Sequence, residues 1–262
     1  MNLALIAVVS LAASCLSLFS GFGLGTILLP VFAVFIPVDM AVAATAMVHA
    51  ANNVLKVVLV GRLADFKVVL KFGLPAIAAA YLGAILLVQL AHLPPWFSYH
   101  FLGLKAQITP LQFVLGLLIL GFSMLELHPR LKKLSFQRKY LSIGGILSGF
   151  FGGLSGHQGA LRSAFLAKVD MTARSFVGTN AVIGLIVDSI RLLTYGTMLS
   201  QFSFRALPSS PEGRMIITGS IAAFLGVVIG MKFLHKVTMT TIQYITGILL
   251  MVIGLVMTAG FI

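Results

Sequence analysis

The chain has 262 residues and a formal charge of +12, with 59% of residues in the AVILMFWYC set, only 9% charged, and a mean hydropathy of +1.08. Soluble domains average roughly 45–50% apolar residues even with glycine counted, and about 25% charge, so this composition cannot cover a globule in water and the bilayer is its solvent. The 18 Lys and Arg against 6 Asp and Glu punctuate apolar runs in the manner of cytoplasmic membrane loops, so no nucleic-acid partner is expected, and the single Cys15 excludes an internal disulfide or a cysteine-built metal cluster.

No metal or other cofactor is called for. Ala12-Ala13-Ser14-Cys15 resembles a lipoprotein cleavage site, but the first basic residue is Lys56, so the charged leader is missing and neither lipidation nor a cleaved signal peptide is expected.

The strict alternation of a membrane β-barrel is absent, which leaves helices as the spanning elements. Apolar runs lie near 3–20, 26–37, 41–60, 68–91, 109–127, 139–154, 163–167, 175–200, 215–234 and 241–261, half of them in each half of the chain. The first two arms are joined by Ser20-Gly21-Phe22-Gly23-Leu24-Gly25, too interrupted for one straight span. At 1.5 Å per residue the second arm reaches about 18 Å, short of the roughly 30 Å hydrocarbon core, so the pair reads as a re-entrant hairpin. Residues 92–108, with Pro94-Pro95-Trp96, read as an external solvated loop with an aromatic anchor, and residues 201–214 as its counterpart. Arg130, Lys132, Lys133, Arg138 and Lys139 form a basic connection that sets orientation.

The halves share words. Val38-Asp39-Met40 recurs as Val169-Asp170-Met171 and Gln112-Phe113-x-x-Gly116 as Gln243-Tyr244-x-x-Gly247, both 131 positions on, and Ser20-Gly21 recurs as Ser155-Gly156. These point to a duplicated unit: an N-terminal repeat over 1–128, a basic cytoplasmic linker over 129–138 and a C-terminal repeat over 139–262. If each repeat is a re-entrant hairpin plus three crossings, the odd number inverts the second repeat. Setting aside Lys56, Arg162 and Arg191 as intramembrane, only Lys105, Arg205 and Arg214 then fall outside against twelve basic residues inside; a single crossing over 3–38 would divide them ten to five. The expected fold is an all-α polytopic membrane protein of 8–10 segments, two inverted repeats, with both termini outside.

Ionisable groups within a span normally face a cavity or a partner. His49, Asn52, Asn53 and Lys56 follow i, i+3, i+4, i+7 on one helical stripe. In 175–200 the same spacing brings together Asn180, Gly184, Asp188, Arg191 and Tyr195, and the 131-residue offset sets Asn180 opposite His49. The second glycine break runs Gly152-Gly153-Leu154-Ser155-Gly156-His157-Gln158-Gly159 and is followed within a turn by Arg162. Glycine breaks free backbone N–H groups and aim a helix N-terminus into the membrane, which suits an anion, and breaks at matched positions of two repeats point to a transporter's central site. Snorkelling of Lys56, a self-neutralising Asp188/Arg191 pair, interhelical hydrogen bonding by His49 and the asparagines, and small-residue packing at Gly149/Gly153 and Gly226/Gly230 are the structural alternatives.

Three basic side chains against one acid make the interior positive, so the substrate-binding candidates are Gly23, Gly25, Thr26, His49, Asn52, Asn53, Lys56, Gly156, His157, Gln158, Gly159, Arg162, Asn180 and Arg191, acting on a small anion. His49, His157 and Asp188 are the candidates for proton coupling, since imidazole titrates near neutral pH. At the two glycine motifs, including Pro30 in the first and Gly149-Phe150-Phe151-Gly152-Gly153 in the second, the chain resembles the TauE/SafE sulfite exporter family, also known as the TSUP permeases. That resemblance implies passage of sulfite, sulfonates or related organic acids across a bacterial inner membrane. The first break lacks an uninterrupted Gly-Gly-Gly, and the position matching Pro30 lies near Ala164.

The chain therefore reads as a secondary transporter whose partners are a small anion and lipid, and a homo-oligomer is compatible with it. The rivals are a passive anion channel and a structural subunit of a membrane complex. An intramembrane enzyme is disfavoured by the absence of HExxH, GxSxG or paired intramembrane aspartates.

Overall fold

A computed structural model describes residues 2–20, 23–101, 103–130, 135–199, 210–232 and 239–261. Gly21 and Phe22 of the first break, Lys132 and Lys133 of the basic connection and residues 201–209 lie outside these. Ten α-helices are found among the described residues: α1 (Asn2–Ser20), α2 (Leu24–Ala33), α3 (Val38–Val60), α4 (Phe66–Ala91), α5 (Pro110–Leu127), α6 (Leu141–Ser155), α7 (Gly159–Leu166), α8 (Ala173–Met198), α9 (Pro211–Lys232) and α10 (Met239–Thr258). Each apolar run of the sequence has become one helix.

Local chemistry sets the helix boundaries. The Asp65 carboxylate accepts from the N–H groups of Lys67 and Val68 and opens α4; Thr109 and Gln112 form a reciprocal capping box ahead of Pro110 and open α5; the Thr172 hydroxyl opens α8. At the second break Gly156 takes φ 80°, the left-handed conformation that ends α6, and at the first break Gly23 takes φ 116°, a region essentially closed to other residues.

Among the described residues, five helices are long and apolar enough to cross a membrane, including α3, α4, α5 and α8. Their outward faces carry Leu74, Leu82, Ile221 and Leu225, while Asp188, Arg162 and Arg191 are buried at the centre. Apolar outside and charged inside is the reverse of a water-soluble domain and is what a hydrocarbon solvent selects. The chain is a multi-pass membrane protein.

The helices pack in pairs. α3 and α8 run antiparallel, His49 meeting Asp188 while the Val60 carbonyl lies against Gly178. α5 and α10 also run antiparallel, with Gly116 against Thr258 and Gly247 against Leu127. By contrast α4 and α6 run parallel, the backbones of Phe72, Ala76 and Ala80 closing directly onto Gly145, Gly149 and Gly153, and α1 and α9 run parallel in the same way, with Ser10 near Gly219 and Leu11 against Gly226. Any Cβ on α6 at these contacts would meet a backbone carbonyl, so the glycines are what permits the approach.

Helix boundaries repeat as well. Ser20 and Ser155, Leu24 and Gly159, Val38 and Ala173 stand 135 residues apart in every case. That is the spacing of the Ser-Gly match and differs from the 131 of the other two. Val38-Asp39-Met40 opens α3, whereas Val169-Asp170-Met171 precedes α8, so this word match is not structural. At 135 residues Asn180 corresponds to Thr45, not to His49, and Lys56 corresponds to Arg191.

The connection over 92–108 also contains more order than its composition indicates. β1 (Phe97–Phe101) and β2 (Leu104–Ile108) form an antiparallel hairpin with Phe97 opposite Ile108, the sole sheet among the described residues and an addition to the all-helical expectation. It caps one end of the bundle: the Gln107 N–H donates to the Gly260 carbonyl, the Tyr99 hydroxyl donates to the Ala259 carbonyl, and Trp96 packs on Phe113 with ring centroids 5.6 Å apart. At the other end lie Arg62, Lys67, Lys71, Arg138, Lys139, Lys168 and Arg174, held partly by Arg138 to Asp65 at 3.9 Å and by Ser142 to the Lys71 carbonyl.

Candidate functional site

The two breaks meet in the middle of the bundle. A Cβ on Gly25 would lie 3.3 Å from the Gly156 carbonyl and 3.7 Å from the His49 ring. Around this contact the polar stripes of α3 and α8 converge, because antiparallel packing turns them toward each other.

Asp188 is the hub and is fully buried. Its Oδ2 accepts from His49 Nδ1 at 2.6 Å and from Asn53 Nδ2 at 2.9 Å; its Oδ1 accepts from Gln158 Nε2 at 3.1 Å and pairs with Arg191 Nη2 at 2.9 Å. With Asp188 ionised, His49 carries its proton on Nδ1, which leaves Nε2 available for another partner. Gln158 extends the network: its Oε1 accepts from Arg162 Nη1 at 2.8 Å, while Arg162 Nε donates to Asn180 Oδ1 at 2.6 Å. Arg162 is thereby aimed and held by neutral amides and spends no charge on them. Two glycines make room for this: a Cβ on Gly156 would lie 2.5 Å from Arg191 Nη1, and one on Gly184 would lie 2.7 Å from Asn53 Nδ2.

A small cleft opens beside this network, with Ser17, His49, Asn53, Lys56, Arg162 and Asn180 as its polar lining. Lys56 Nζ donates to Ser17 Oγ at 3.0 Å. Neither Lys56 nor Arg162 has an ion-pair partner among the described residues, since Asp188 is engaged by His49 and Arg191. A second, wider space continues from Leu18, Lys56 and Val177 past Leu59 and Val60 to Arg174 at the basic end. The cavity thus has an approach from that end.

Of the sequence-derived site residues, His49, Asn53, Lys56, Arg162 and Asn180 line the cavity, and Gln158 positions Arg162. Gly25 and Gly156 form the contact between the breaks; Gly23 and Thr26 stand at the start of α2, and Gly159 at the start of α7. Others point elsewhere. Asn52 accepts from Ser14 on α1, Arg191 is sealed between Asp188 and the Gly152 carbonyl, and His157 bonds to Ser155 and stacks on Phe122 at 5.3 Å.

The α3 stripe divides because i+3 and i+4 differ by about 100° around a helix, so Asn52 and Asn53 face different neighbours. Sequence reasoning missed Ser14 and Ser17. Their signal is the spacing Ser10, Ser14, Ser17 on α1, a polar stripe of three buried hydroxyls that a hydropathy reading does not register.

A bundle of apolar-faced helices, broken twice in the membrane and holding an open cationic cavity at the breaks, is the architecture of a membrane transport protein. The chain matches the family described as Sulfite exporter TauE/SafE over residues 6–257 and belongs to it. This is a family of transporters, not enzymes. No curated protein and no solved structure matches the chain.

Proposed function

We propose that the chain is a secondary transporter carrying a small anion, namely sulfite, an organosulfonate or a related sulfur-containing organic anion, across the inner membrane by alternating access. The observation that carries this reading is the cavity faced by Lys56 and Arg162, neither of which has an ion-pair partner among the described residues. An unpaired cation in a desolvated site costs several kcal/mol, which a bound anion recovers, while a cation substrate would add to the penalty. The guanidinium offers a planar fork matching two oxygens of a sulfite, sulfonate or carboxylate, and Lys56 and His49 Nε2 supply donors to the remainder.

Inverted repeats over 1–128 and 139–262, joined by the basic connection, supply the second conformation. The antiparallel pairing of α3 with α8 and of α5 with α10 supports this arrangement, because corresponding helices of inverted repeats must run in opposite directions. The basic end is cytoplasmic by the positive-inside rule, with both termini outside. His49 and Asp188 couple transport to protons: protonating this pair removes the negative charge beside Gln158 and changes how Arg162 is held.

A thermal-shift series in detergent with sulfite, thiosulfate, sulfoacetate, taurine and simple carboxylates tests the site. At least one of these anions stabilises the wild-type protein, and Arg162→Ala loses that stabilisation while remaining monodisperse. Stabilisation of equal size in Arg162→Ala places the anion elsewhere.

A further inference from the structure

The repeat relation identifies where a counterpart of the access space at the basic end would form at the hairpin end. A shift of 135 positions carries the vestibule residues Leu18, Lys56 and Val60 to Gly153, Arg191 and Tyr195, and the reverse shift carries Ala173 and Val177 to Val38 and Val42. Around the first set there is open space. The second set is packed shut: Tyr195, Val38 and Val42 lie in one apolar cluster with Leu87, Leu154 and Leu199.

Two polar ties cross the same seam. The Tyr195 hydroxyl donates to the Gly153 carbonyl, and Arg191 Nη1 donates to the Gly152 carbonyl at 3.3 Å. Both acceptors belong to the last turn of α6; the Gly152 carbonyl also accepts the Gly156 N–H, whereas the His157 N–H that would continue the helix onto Gly153 turns to Ser155 Oγ. A donor from α8 is therefore what keeps the Gly153 carbonyl satisfied in an apolar seam, and separating α6 from α8 exposes it.

We infer that Tyr195 is the latch of an outer gate, and that the outward-facing path, when it opens, is lined by Val38, Val42, Thr194 and Arg191. This rests on the reading of the chain as an alternating-access transporter built from inverted repeats. In the structure described, the inner mouth at Lys56 is open and the outer seam is closed. Release of the Tyr195 hydroxyl from Gly153 frees the α6 tip; Arg191 then faces the outer path as Lys56 faces the inner one.

The test uses single cysteines in a Cys15→Ala background, labelled in membrane vesicles with a membrane-impermeant maleimide. Val42→Cys is read from the hairpin side and Val177→Cys from the basic side. With the latch intact, position 177 labels rapidly and position 42 slowly. Tyr195→Phe removes only the hydroxyl, and labelling at position 42 is expected to rise about tenfold, the shift of an equilibrium by ~1.4 kcal/mol when one buried bond is lost.

An unchanged rate at position 42 overturns the latch. So does a rise accompanied by passive chloride leak through the vesicles, because both ends would then be open at once. Tyr195→Met, which keeps apolar volume without a hydroxyl, repeats the test if the Phe variant is not monodisperse. Labelling requires no substrate, so its failure leaves the Arg162 anion site standing, and loss of that site leaves the labelling result standing.

Discussion

Asp188 holds four polar neighbours with one carboxylate: it neutralises Arg191, sets the tautomer of His49, accepts from Asn53 and, through Gln158, orients Arg162. Removing its charge leaves Arg191 buried without a counter-ion, an error that costs about 3–5 kcal/mol. Asp188→Asn is therefore expected to lower the thermal unfolding midpoint in detergent by several degrees, more than any other polar substitution in the network. The two asparagines on either side of the site make a sharper contrast. Asn180→Ala deprives Arg162 of its Nε acceptor and should weaken anion binding by about tenfold, whereas Asn52→Ala loses a contact to Ser14 worth ~1 kcal/mol and should leave binding unchanged. Isothermal titration of both variants decides whether the stripe acts as one unit or two. At this scale the sequence reveals which residues are polar where lipid should be, since charge in a span is conspicuous. It does not reveal which way each one turns, because neighbouring positions of one stripe serve α1 on one side and α8 on the other.

At the scale of helices, the glycines have two separate roles. Gly145, Gly149 and Gly153, four residues apart, bring α6 against the backbone of α4, while Gly156 and Gly184 clear space for Arg191 and Asn53. Gly149→Leu places a side chain into the backbone of Ala76 and is expected to prevent recovery of monodisperse protein by size-exclusion chromatography. Gly121→Ala, on α5 with nothing within 4 Å of the added carbon, should behave as wild type. A soluble Gly149→Leu variant with unaltered unfolding would show that α4 and α6 are not in contact. Both roles are visible in the sequence only as glycine abundance; the split between them depends on which helix arrives opposite, and that is a property of the tertiary arrangement. The β-hairpin is a different case. Its Phe97-Ser98-Tyr99 alternation and the positive φ at Gly103 are strand and turn signals, outweighed in a sequence reading by the flanking Pro94-Pro95 and the bilayer setting.

For the molecule as a whole, the proposed duplication would account for three helix boundaries recurring at one spacing and for α3 with α8 and α5 with α10 running head to tail. Short word matches point to that duplication without setting its register: helix boundaries recur 135 residues apart, while two of the three matches stand 131 apart. The twelve-to-three distribution of basic residues predicts that both ends of the chain are outside. A C-terminal alkaline phosphatase fusion should be active and a green fluorescent protein fusion at the same point dark; the reverse pair of signals would place the C-terminus inside and contradict this orientation.

The anion site itself is tested most directly by counterflow in proteoliposomes loaded with sulfite or a sulfonate, comparing wild type with Arg162→Ala at equal incorporation. A transporter using Arg162 gives saturable counterflow in the wild type and a loss of about a hundredfold or more in the variant, the equivalent of ~2.7 kcal/mol of charge-assisted binding. Wild-type counterflow in Arg162→Ala, or a flux that neither saturates nor exchanges, would contradict it.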